Sequence, residues 1–167
     1  KVTLACELIR QGKNILYFSL EETKDAIKQR IQSNLFELDF TTKESKMMSD
    51  ENIELIKTKQ AQYDTSSWGQ AKYFAISGPT STEIENLLIQ VNKQTPIDVI
   101  FVDYSGKIKS DKTASSQHEA NNLIIDNLKN LATKYDILVV TSVQSNRQAA
   151  QGNSGLHTAA DSMGAPR

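Results

Sequence analysis

A three-layer α/β fold, with a mainly parallel sheet between helices, is what this 167-residue sequence predicts. Three observations lead there. Four short apolar runs alternate with amphipathic helical stretches, the pattern of strand–helix–strand units. Two of those runs are nearly continuous in β-branched and aromatic residues, which suits strands buried on both faces of a parallel sheet. Polar residues stand at or just beyond the ends of three of the runs, where an open α/β sheet places its ligand site.

The chain opens in a helical stretch, Val2 to Ile9, with no capping residue before it. Gln11-Gly12-Lys13 then turns into the first strand, Asn14 to Leu20. A helix follows over Glu22 to Leu35, its stripe of Ala26, Ile27, Ile31 and Leu35 broken by polar residues. Residues 37–70 are rich in Lys, Glu, Ser and Thr, with a thin helical pattern of Ile53, Ile56 and Tyr63, and read as a helical surface insertion. Ala71 to Ser77 is the second strand. In the helix from Thr80 to Lys93, Ile84, Leu87, Leu88 and Val91 share one face, and Thr80 with Glu83 has the spacing of a capping box. The third strand is Ile97 to Tyr104. Ser116 and Glu119 repeat the box before a long helix carrying Leu123, Ile124, Leu128, Leu131 and Tyr135. The fourth strand is Ile137 to Val143. Residues 105–115 and 147–158 read as flexible loops, the second around Gly152-Asn153-Ser154-Gly155. At roughly 150 residues per domain the length allows one domain, 1–167. The uncapped start at Lys1 and the stop at Pro166-Arg167 make both ends read as cut, so the domain is expected to be partial.

Composition narrows the function. Nineteen Lys and Arg face twenty Asp and Glu, a formal charge of -1, which excludes a polybasic protein whose whole body binds nucleic acid or membrane. Any anion site must be local. Hydrophobic residues make up 38%, so much of the chain lies on the surface. The single Cys6 excludes an intramolecular disulfide and any multi-cysteine zinc site, and its apolar surroundings read as core. His118 and His157 have no Cys or His partner nearby, so neither reads as a metal ligand. Trp68 reads as packing the insertion onto the sheet. No apolar run is long enough for a membrane span and no secretory signal opens the chain, so a cytoplasmic protein is expected.

Glu21, Asp103 and Gln144 are the three polar strand ends. Ile100-Phe101-Val102-Asp103 has the form of a Walker B strand, whose acid orders the shell of Mg²⁺. Asp103 can equally be a loop or cap residue, and Glu21-Glu22 an acidic first helical turn favoured by the dipole. A phosphate loop G-x-x-x-x-G-K-[ST] is absent. Gly12-Lys13 and Gly106-Lys107 are followed by Asn14 and Ile108, and Glu7 and Phe101 stand where the first glycine belongs.

Several segments resemble, in order, those of DnaB-like replicative DNA helicases. Asn14 to Glu21, N-I-L-Y-F-S-L-E, resembles the strand that follows that family's Walker A helix. Ile100-Phe101-Val102-Asp103-Tyr104 resembles its Walker B strand. Leu128-Lys129-Asn130-Leu131-Ala132 resembles L-K-x-L-A, and Val139 to Arg147, V-V-T-S-V-Q-S-N-R, resembles V-V-A-L-S-Q-L-N-R. Asp103 to Ile108 and Gly164-Ala165-Pro166 are most similar to the phage branch. Glu22 and Val143 depart from the family's usual Met and Ser.

The resemblance implies a RecA-like P-loop NTPase core, incomplete at both ends, from an ATP-dependent DNA helicase of the replication machinery. It implies Glu21 as the residue that polarises the attacking water, Asp103 as the Mg²⁺ residue acting through water, and Gln144 as the γ-phosphate sensor. ATP and Mg²⁺ are the implied cofactors. It places the Walker lysine a few residues before Lys1, so residues 1–167 alone are expected to be inactive. The loops 105–115 and 147–158 would track single-stranded DNA, with Lys107, Lys109, Lys112 and Arg147 on its backbone. A homo-hexamer is implied, with primase and a helicase loader as candidate partners, in the host cytoplasm if phage-encoded. A RecA-like recombinase, a KaiC-like regulatory ATPase and a non-catalytic α/β binding domain are the rival readings.

Overall fold

The computed structural model describes residues 1–38 and 50–142, with side chains of 50–52 left aside. In chain order the elements are α1 (Val2–Arg10), β1 (Ile15–Ser19), α2 (Lys24–Leu35), α3 (Asp50–Gln60), β2 (Ala71–Ala75), α4 (Ser81–Asn92), β3 (Val99–Asp103), α5 (Gln117–Tyr135) and β4 (Leu138–Thr141). The described strands form one parallel sheet in the order β2-β1-β3-β4. All four expected strands are present, although Val143, at the end of the fourth, lies outside the described residues.

Alternation along β1 divides the core. Ile15 and Tyr17 face the layer of α1, α2 and α3, together with Ile27, Ile31, Ile56 and Phe101. Leu16 and Phe18 face α4 and α5, together with Ile84, Leu88, Ile100, Val102 and Leu128. Tyr17, Phe18 and Phe101 are almost completely buried. Each such side chain contributes about 1.5–3 kcal/mol by leaving water. Tyr17 also stacks on Phe101 at 5.5 Å. Cys6 is buried in the first of these layers, where burial pushes its thiol up to about 11.

The caps form as the sequence indicates, with one difference. Thr80 and Glu83 make the full box: the Thr80 hydroxyl accepts from the Glu83 N–H at 3.2 Å and the Glu83 carboxylate accepts from the Thr80 N–H at 2.7 Å. Ser116 accepts from the Glu119 N–H at 3.2 Å, but the Glu119 carboxylate reaches one residue further back, to the Ser115 N–H and hydroxyl at 2.7 and 2.5 Å. Ser115 offers two donors where Ser116 would offer one, so the reciprocal half of that box is replaced by a stronger contact. The helix expected from Glu22 starts at Lys24, because Thr23 is its N-cap and accepts from the Ala26 N–H.

The fourth strand differs from expectation. Its composition suits burial on both faces, yet Leu138 is 52% exposed and Val139 to Thr141 are half-buried, whereas Val99 to Val102 of β3 are buried. Position explains the difference: β3 lies between β1 and β4, and β4 ends the described sheet.

Within residues 37–70, α3 is a helix, and residues 39–49 lie outside the described set. Phe36, Tyr63 and Trp68 form an aromatic cluster at centroid distances of 5.8–6.0 Å against the α1–α2 layer, with the Arg10 guanidinium 5.9 Å over Trp68. Trp68 thus packs the insertion onto the body of the domain.

Candidate functional site at the strand ends

Adjacent strands β1 and β3 run in register, with Ser19 opposite Asp103, so the segments that leave them emerge side by side. The Leu20 N–H donates to the Asp103 carbonyl at 3.0 Å and extends that pairing by one residue. Glu21 follows immediately. Its turn is set locally: the Ser19 hydroxyl accepts from the Glu22 N–H at 3.0 Å and donates to the Glu22 carbonyl at 2.8 Å. Glu22 is committed to α2 through a two-pronged ion pair with Arg30 at 2.9 and 2.5 Å. Glu21 instead projects toward the end of β3, where its Oε1 lies 3.3 Å from Lys107 Nζ. The two acids of Glu21-Glu22 therefore have separate partners.

Asp103 is more enclosed. One carboxylate oxygen pairs with Lys1, and the other accepts from the Tyr17 hydroxyl at 3.2 Å. Lys1 also donates to the Ser142 hydroxyl, at 2.6 Å, just beyond β4. Burial first, and then the neighbouring Asp103 carboxylate, hold the Tyr17 phenol well above its ordinary range, so it stays a proton donor to Asp103. Lys1, Tyr17 and Ser142 are not legible in the sequence as site residues. Tyr17 leaves one signal, a phenol in an otherwise apolar strand, which must find a partner when buried. Lys1 and Ser142 leave none, because their meeting spans the chain.

A 3-10 turn, Ser105–Lys107, follows β3. Ser105 is buried and donates to the Ser142 carbonyl through its N–H at 3.2 Å and its hydroxyl at 3.1 Å. Gly106 lies tight against Tyr104: a Cβ there would sit 2.5 Å from the ring, which would have to shift. Lys107 is exposed and lies 5.9 Å over that ring. Further along, the Lys109 N–H donates to the Pro79 carbonyl at 2.8 Å, and its side chain crosses Gly78. Asp111 accepts from the Thr82 N–H at 3.3 Å, and Lys112 is exposed beside it. The segment 105–111 is thus held to β4 and to the start of α4. Lys107 joins the strand-end group, whereas Lys109 and Lys112 sit beside α4. Gln144, Arg147 and the 147–158 loop lie outside the described residues.

Among the described residues no group of three or more His, Cys, Asp or Glu gathers as a metal cage. Asp103 alone still fits Mg²⁺, which keeps several waters and takes one or two carboxylates plus substrate phosphates. The family model of the DnaB-like helicase C-terminal domain matches residues 1–160. The chain belongs to that family. Among solved structures it is similar to a DnaB-like replicative helicase described with its interactions with primase, at 17% identity and a TM-score of 0.77. That match covers 96% of this chain and 39% of the helicase. It is also similar to a second solved protein, described as an ATPase domain, at 17% identity and a TM-score of 0.76, over 96% of this chain and 58% of that one. No curated protein sequence matches. The expected RecA-like α/β core is therefore the fold of this DnaB-like chain, which spans less than two thirds of either solved protein. Membership in a helicase family sets aside the recombinase and clock-type alternatives. Among the described residues no helix is long and apolar enough to cross a membrane.

Proposed function

We propose that this chain is part of the motor domain of a replicative DNA helicase that hydrolyses ATP and moves along single-stranded DNA. One observation carries the reading: in a chain of the helicase family, the paired ends of β1 and β3 bring Glu21 and Asp103 to one edge of the sheet in different surroundings. In this reading Glu21 orients the attacking water and takes up its proton. Asp103, oriented by Tyr17, holds a water of the Mg²⁺ shell, and Gln144 senses the γ-phosphate. Mg²⁺ when bound supplies charge that offsets the phosphates. The reaction is phosphoryl transfer to water, in which the chain chiefly positions groups. Residues 1–167 contain no G-x-x-x-x-G-K-[ST], so alone they are expected to leave ATP intact.

Lys107, Lys109, Lys112 and Arg147 are the DNA-backbone contacts in this proposal, in loops that follow strands ending near nucleotide groups. The working assembly is a homo-hexamer in the cytoplasm, of the host if the gene is a phage gene, with primase and a loader as partners. Neutralising Lys107, Lys109 and Arg147 in the parent protein should weaken single-stranded DNA binding. The slope of log K against log salt should flatten by about one unit per lost phosphate contact. Parallel lines for wild type and triple variant would remove these residues from the DNA contact.

A further inference from the structure

We infer that Lys107 restrains the catalytic Glu21 and that the phosphodiester backbone of a single-stranded nucleic acid releases it. The inference rests on the catalytic role proposed for Glu21 and adds to it a residue that controls when that role is filled. The ion pair at 3.3 Å joins the ends of neighbouring strands, with the Lys107 and Glu21 side chains 46% and 52% exposed. An ammonium at that distance draws the carboxylate toward itself and competes with water for the facing oxygen. The pair is also weakly held, since exposed ion pairs contribute little and exchange readily for another anion.

The surroundings confine the exchange to two side chains. Beneath Lys107, the 3-10 turn is fixed by the two bonds from Ser105 to the Ser142 carbonyl and by the Lys107 N–H donating to the Tyr104 carbonyl at 3.1 Å. Beneath Glu21, the turn is fixed by Ser19 and by the Glu22–Arg30 pair. The backbones on both sides can stay in place while Lys107 swings from carboxylate to phosphate. A DNA phosphate that takes the ammonium leaves Glu21 free to hold water, so strand occupancy and hydrolysis are coupled through one lysine. The γ-phosphate of ATP carries the same chemistry as a source of that anion, and kinetics separate the two.

The experiment measures steady-state ATP hydrolysis by the parent protein, without DNA and with saturating oligo-dT, for wild type, Lys107→Ala and Lys107→Arg. Loss of the restraint should raise the DNA-free kcat of Lys107→Ala by about two- to fivefold, the range expected from an exposed pair. KM for ATP should stay unchanged, and the stimulation by saturating DNA should fall by the same factor. Lys107→Arg, which keeps the charge, should restore the low basal rate. A DNA-free kcat that is unchanged or lower in Lys107→Ala overturns the inference, and a raised KM overturns it by assigning Lys107 to the nucleotide instead. Glu21→Gln separates this inference from the reading beneath it. If Glu21→Gln is inactive while Lys107→Ala keeps the basal rate, only the restraint fails. If Glu21→Gln turns over normally, the catalytic assignment fails and the restraint falls with it.

Discussion

The two ends of β3 each carry an aspartate beside an apolar run, and the sheet uses them differently. At the entry, Asp98 accepts from the Asn14 backbone N–H at 2.8 Å and pairs with Lys13 at 3.5 Å. Asn14 in turn donates to the Pro96 carbonyl and accepts from the Gln70 N–H, each at 2.8 Å, so the starts of β1, β2 and β3 are stitched through backbone groups. At the exit, the carboxylates of Asp103 and Glu21 meet side chains among the described residues: Lys1, Tyr17 and Lys107. Polar groups bonded to backbone hold the fold. Those bonded to side chains can trade partners with a ligand while the sheet stays intact. In the proposed reading, the two aspartates at opposite ends of β3 separate structure from chemistry.

That contrast is open to mutation. Asp103→Asn in the parent protein should weaken Mg²⁺–ATP engagement and turnover by about 10–100-fold, the usual loss when a metal's hydrogen-bonded shell is altered. Its melting temperature should stay near that of wild type, read by calorimetry alongside nucleotide titration. Asp98→Ala should do the opposite. It removes the acceptor of the part-buried Asn14 N–H and should cost about 0.5–1.5 kcal/mol of stability in urea unfolding, with kcat unchanged. If both variants lost stability and neither lost activity selectively, the division between the two ends would be wrong.

Smaller effects sharpen the picture. Tyr17→Phe keeps the stacked ring but removes the hydroxyl from Asp103, and should cost about 0.5–1.5 kcal/mol in unfolding experiments, together with some nucleotide affinity. For Cys6 the sign follows from burial, which favours the neutral thiol in the folded chain and raises its value from 9.0 to about 11. Its contribution to stability is complete below pH 9 and is lost as pH rises toward 11, because the unfolded thiol ionises first. Thiol-reagent labelling of native protein near neutral pH should therefore be slow and track unfolding. Fast labelling in the native state would place Cys6 outside the core.

Much of this is legible in the sequence because local physics dominates the elements. The periodicity of α4 and α5, the Thr80–Glu83 box and the apolar runs of β1 and β3 each depend on residues close in the chain. The acids Glu21 and Asp103 are legible because strand ends can be counted. Three features need the third dimension. The exposure of β4 depends on which strand lies beside it, and the composition of Ile137 to Val143 does not encode that neighbour. The Lys1–Asp103 and Lys107–Glu21 pairs depend on strand order, which brings β1 beside β3 although α2, α3, β2 and α4 lie between them in the chain. The Asn14–Asp98 staple is hidden in the sequence for the same reason.

The most direct test compares Glu21 with Glu22, neighbours in sequence with opposite roles in this account. The parent protein carrying Glu21→Gln or Glu22→Gln is assayed for ATP binding at equilibrium and for turnover with DNA. Glu21→Gln should bind ATP about as well as wild type and lose about 10²–10⁴-fold in kcat, because an amide keeps the shape but cannot accept the proton. Glu22→Gln, which loosens only the Arg30 pair, should keep most of its turnover. Normal hydrolysis by Glu21→Gln, with the loss appearing in Glu22→Gln instead, would contradict the assignment of the strand-end site.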